Sequence, residues 1–118
     1  MIGSLRSVVL DTRDPSGLAS FYQAVLGGDV DAGDGTFVVL TNSTGRRLAF
    51  QLAPEHEPPR FPDPRGSQQF HLDIEVADVD EAEPKVLAHG ASRVGDGVDG
   101  GDVRVYRDPA GHTFCLVW

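Results

Sequence analysis

The chain repeats itself once, and the spacing of the repeat restricts the folds open to it. Ser7-Val-Val-Leu-Asp-Thr-Arg-Asp14 is matched 64 residues later by His71-Leu-Asp-Ile-Glu-Val-Ala-Asp78, and Gln51 in LAFQL is matched at the same interval by Cys115 in TFCLV. Two long copies are too few for a solenoid, whose short units stack many times. The pattern predicts one domain over 1–118, built from module one (1–53), a linker (54–69) and module two (70–118). The repeat-matched positions Ser7, Gln51, His71 and Cys115 are the first candidates for a site.

Each module reads as strand, helix, then strands. Leu5 to Thr12 is apolar and β-branched, and Asp14-Pro15 offers an N-cap followed by a proline that has no N–H to waste in the first turn. Leu18, Phe21, Tyr22, Val25 and Leu26 recur at helical spacing until Gly27-Gly28 ends the run. Phe37–Thr41 and Arg47–Ala53 read as a hairpin around Asn42-Ser-Thr-Gly45. In module two, Phe70–Val76 is a strand and Val79–His89 a helix containing Pro84. A cap at Asp80 makes that proline harmless, whereas a cap at Asp78 predicts a kink. Asp96–Asp102 reads as a flexible corner, and Asp102–Arg107 with Thr113–Trp118 as a hairpin across Asp108-Pro-Ala-Gly111.

Period-two alternation separates two faces on every strand. Phe70, Leu72, Ile74 and Val76 oppose His71, Asp73 and Glu75, and Leu48, Phe50 and Leu52 oppose Arg47, Ala49 and Gln51. Phe114, Leu116 and Trp118 likewise oppose Thr113, Cys115 and Val117. The apolar faces are expected under the helices, with Phe21, Tyr22 and Trp118 in the core. The other face carries Ser7, Gln51, His71 and Cys115, and a curved polar sheet face of this kind makes a cleft for a small molecule. Asp11, Arg13 and Tyr106 are candidates to line it, or to form surface pairs.

The single residues keep several readings open. His71 suits a metal ligand, a general base or a structural residue bonded to Asp73 or Gln51. Cys115 is either a nucleophile beside His71 or a small buried side chain. His112 reads as an exposed or capping group at a turn. The linker holds five of the eight prolines, at 54, 58, 59, 62 and 64, so it is neither helix nor inner strand. It serves as a connection, or as a lid whose Arg60 and Phe61 touch a ligand.

The formal net charge is −8, and no cluster of Lys and Arg interrupts it. Nucleic acid is excluded as the expected partner, because phosphate binding needs concentrated positive charge. The single cysteine rules out an internal disulfide, and neither a membrane-length apolar run nor a secretory leader is read, so a cytoplasmic location is expected.

The opening VVLDTRDPSGLASFYQAVLGG, the restart HLDIEVADVD and the closing DPAGHTFCLVW resemble the glyoxalase, bleomycin-resistance and extradiol-dioxygenase group, the vicinal oxygen chelate superfamily. The resemblance implies an α+β fold in which two βαβββ modules form a cupped mixed sheet with the helices outside, commonly in a homodimer. It places metal ligands at Ser7, Gln51, His71 and Cys115. These types lack the carboxylates that nickel, manganese or iron favour, so no metal cofactor is expected, and any bound metal would use Gln51, His71 and Cys115. The expectation is a protein that binds or sequesters a hydrophobic or aromatic compound through Ser7, Gln51, Arg60, Phe61, His71, Asp73, Tyr106 and Cys115. The alternative is a lyase, isomerase or dioxygenase that uses His71 with a nonstandard metal or Cys115.

Overall fold

A computed structural model describes residues 1–63, 65, 68–95 and 99–118. Pro64, Gly66 and Ser67 of the linker, and Asp96, Gly97 and Val98 of the Gly-rich corner, lie outside the described residues. The chain divides into two compact units, Met1–His56 and Glu57–Trp118, so the boundary falls inside the segment read as linker.

Unit one runs β1 (Val8–Thr12), α1 (Pro15–Leu26), β2 (Asp29–Asp31), β3 (Phe37–Thr41) and β4 (Arg47–Leu52). Its mixed sheet has the order β1-β4-β3-β2, with β1 parallel to β4. Asp14 caps α1 by accepting from the Gly17 amide at 3.0 Å, with Pro15 in the first turn as expected. Tyr22 of α1 stacks on Phe50 at 5.7 Å, and Leu18, Phe21, Val38 and Leu40 are buried with them. The strand β2, which the sequence reading passed over, is three exposed residues paired to β3. At Gly28 the chain turns with φ +100°, against the backbone of Thr41 and Asn42, where a Cβ has no room.

Unit two has the same order: β5 (Leu72–Glu75), α2 (Val79–Ala88), β6 (Ser92–Arg93), β7 (Val103–Arg107) and β8 (Thr113–Val117). The sheet order is β5-β8-β7-β6, again with the first strand parallel to the last. Asp78 caps α2, accepting from the amides of Asp80 and Glu81 at 2.9 and 3.3 Å, and the helix runs through Pro84.

The undersides of the two sheets differ. Where α1 buries Pro15, Leu18, Ala19, Phe21 and Tyr22, α2 buries only Val79 and Val86. It is tied down by charge instead. Glu83 accepts from the Tyr106 hydroxyl at 2.6 Å and from Arg104 and Arg93 at 3.1 Å, while Arg104 also reaches Asp80 at 3.0 Å. Arg93 in turn bonds Asp99, which accepts from the Val105 amide at 2.9 Å.

Three residues expected under the helices are not core, the first being Leu52, 38% exposed as the last residue of β4. Phe70 ends up 83% exposed, because β5 starts only at Leu72 and leaves it on the entering loop. Trp118 is 41% exposed and lies 5.8 Å from the Arg104 guanidinium, just past the end of β8.

Candidate functional site

In unit one, Gln51 sits on β4 across from Asp11 of β1 and Phe37 of β3. The face is the one opposite Phe50 and α1, as alternation requires. Val9 and Phe37 are on it, 44% and 43% exposed. Ser7 is not brought to Gln51. It precedes β1 by one residue and lies four residues ahead of Asp11, about 13 Å along the strand.

In unit two, Cys115 of β8 pairs with Asp73 of β5 on one side and Val105 of β7 on the other. His71 stands just before β5, with Nε2 3.3 Å from Asp73 Oδ1. One ligating atom each from His71, Asp73 and Cys115 lie within 4.8 Å of one another. Cys115 is buried and the other two are exposed. Burial first, then the charge of Asp73 and a hydrogen bond to it, push the Cys115 thiol up to about 11. At neutral pH the thiolate is therefore scarce.

Tyr106 corrects the sequence reading. It pairs with Phe114 and stacks on it at 5.4 Å, on the face turned to α2, and is fully buried with its hydroxyl on Glu83. Alternation places it opposite Cys115's neighbour Val105, a signal present in the sequence but not followed along β7. Burial, then Glu83, hold its hydroxyl well above the ordinary range. Arg13 donates from Nε to the His56 carbonyl at 2.9 Å, anchoring the turn that ends unit one.

Arg60 and Phe61 lie in unit two, on the wall of an open cavity of about 580 Å³ shared with Glu57, Pro58, Pro59, Pro62, Asp63 and Arg107. Arg107 Nη2 donates to the Phe61 carbonyl. Pro58 rests on Gly111, whose φ of +90° and lack of a Cβ leave it space. The turn that presents Gly111 is held by buried Asp108, which accepts from the amides of Ala110 and His112 at 2.9 and 3.0 Å and meets His112 Nδ1 at 3.0 Å. His112 is thus a largely buried capping partner. Neither the cavity nor this support was legible from spacing.

Two mixed sheets, each from a βαβββ module with its helix on one face, define an α+β protein of the glyoxalase-like fold. The glyoxalase-like domain family matches residues 7–117, and the chain belongs to that family and, with it, to the vicinal oxygen chelate superfamily. No curated protein sequence matches it. Among solved structures it is similar to a glyoxalase/bleomycin resistance protein/dioxygenase family enzyme from Burkholderia phytofirmans, at 20% identity and TM-score 0.73, with 97% of each chain covered. It is also similar to a possible glyoxalase from Bacillus cereus, at 15% identity and TM-score 0.70 over 100% of both chains. A genomically encoded fosfomycin resistance protein from Listeria monocytogenes matches at 17% identity and TM-score 0.70, covering 99% of this chain and 92% of that one.

The superfamily implies a divalent metal, and the donors here do not fit an oxygen-rich octahedral site. His71, Asp73 and Cys115 supply one imidazole, one carboxylate and one thiol whose raised pKa opposes the deprotonation that ligation requires. Gln51, in unit one, offers only a neutral amide and no carboxylate.

Proposed function

We propose that this glyoxalase-like protein binds a small hydrophobic or aromatic compound on its helix-free sheet surface, without the superfamily's usual metal. The carrying observation is the partly exposed pair Val9 and Phe37 beside Gln51 and Asp11, apolar area with a few polar groups set into it. That mixture suits ligand binding, since the apolar groups supply most of the affinity and the polar ones fix orientation. A neutral fluorescent dye such as Nile red tests it. Wild type should bind, and Phe37→Ser should bind several-fold more weakly with a nearly unchanged melting temperature, because the ring is already half in water. No binding by wild type would remove the reading.

A second reading has one observation of its own. The close set His71, Asp73 and Cys115 offers a three-donor site, one of its donors soft, for an enzyme that uses His71 with a nonstandard metal. Titration with cadmium, followed through the ultraviolet thiolate-to-metal band, should show saturable uptake that Cys115→Ser abolishes if this reading holds. The binding reading expects no such band near pH 7.

A further inference from the structure

We propose that the cavity walled by residues 57–63 and Arg107 binds a small aromatic carboxylate, taking its ring and its anionic group together. The inference rests on the binding reading above only for the aromatic class of ligand, and adds a second site, within unit two, and a charge. The cavity, about 580 Å³, is of a size for a one- or two-ring compound. Phe61 and three prolines, Pro58, Pro59 and Pro62, give it apolar walls. Arg60 is exposed and has no hydrogen-bond or ion-pair partner among the described residues, so its planar fork is free to take a carboxylate in two parallel bonds. Arg107 is only partly committed, with Nη2 on the Phe61 carbonyl. That bond and the seating of Pro58 on Gly111 hold the walls in place before a ligand arrives, which lowers the ordering cost of binding.

Two carboxylates share the lining. Asp63 is occupied through Oδ1, which accepts from the Arg65 amide at 2.9 Å. Glu57 is exposed, with no partner among the described residues. It repels an anion, so its removal and the removal of Arg60 must act in opposite directions.

The test is calorimetric titration with 2-naphthoate and with its neutral analogue 2-naphthamide. Wild type should prefer the naphthoate. Arg60→Gln should weaken naphthoate binding about tenfold, the size of one charge-assisted contact, and leave the amide unchanged. Glu57→Gln should tighten naphthoate binding by a few-fold. Both residues are exposed, so neither change should alter the fold. Equal affinity for the two compounds, or naphthoate binding indifferent to Arg60, overturns the proposal. If Nile red still binds and still responds to Phe37→Ser in that case, the general binding reading survives. Loss of all aromatic binding removes both.

Discussion

Cys115 shows how far a neighbour's position sets a side chain's chemistry. Its type and its place in a strand were plain in the sequence, but the register that puts Asp73 directly across from it was not. Burial and that carboxylate raise the thiol from 9.0 to about 11. A group whose folded pKa is raised contributes stability that is complete below its unfolded value and is lost as pH climbs through the folded one. The melting temperature should therefore fall between pH 9 and pH 11, and Cys115→Ser should flatten that part of the curve. Asp73→Asn should move the alkylation midpoint of Cys115 downward, though not below 9.0, because burial remains. An unshifted midpoint in Asp73→Asn would show that burial alone raises the thiol.

The two helices reach the same place by different physics. α1 is amphipathic and binds its sheet through Leu18, Phe21 and Tyr22, as its spacing foretold. α2 has too few apolar residues for that, and Glu83 connects it to Tyr106, Arg93 and Arg104. The Tyr106 hydroxyl, foremost, and the arginines hold the Glu83 carboxyl below its usual range. Such a carboxylate stabilises above its unfolded pKa and loses that contribution as pH falls through the folded one. Hydrogen exchange should show α2 losing protection below about pH 4 while α1 keeps its own. Glu83→Gln should reproduce the loss at pH 7, at a cost of about 1–2 kcal/mol. Uniform protection of both helices across that pH range would refute the account. Charge pairs across a sheet have no periodic signature, which is why the sequence reading located α2 but not what fastens it.

The formal charge of −8 acts on association rather than on the fold. No helix among the described residues is long and apolar enough to cross a membrane. The homodimer expected of this superfamily would bring two strongly acidic chains together, and their repulsion is screened over about 8 Å at physiological salt against about 30 Å at 10 mM. Sedimentation should accordingly find a larger dimer fraction in 150 mM salt than in 10 mM. Monomer at both salt concentrations would end that expectation.

The sequence left the α2 cap open between Asp78 and Asp80 and passed over β2 and β6. The order of residues by itself determined the strand, helix and closing hairpin of each module, the cap at Asp14, the helical stripe of α1 and the sheet faces on which Gln51 and Cys115 lie. Each follows from a local period or a local hydrogen bond, which a short window of sequence contains. The rung on which each residue meets its neighbour came only from packing. Asp11 faces Gln51 and Asp73 faces Cys115, so the first strands correspond at 62 residues although the last strands correspond at 64. A slip of one residue would turn every side chain to the other face, but a slip of two keeps all faces and changes every neighbour. Alternation cannot register that difference. It is why Ser7 was expected beside Gln51 when the sheet sets Asp11 there, and why the partner of Cys115 had to be found in three dimensions.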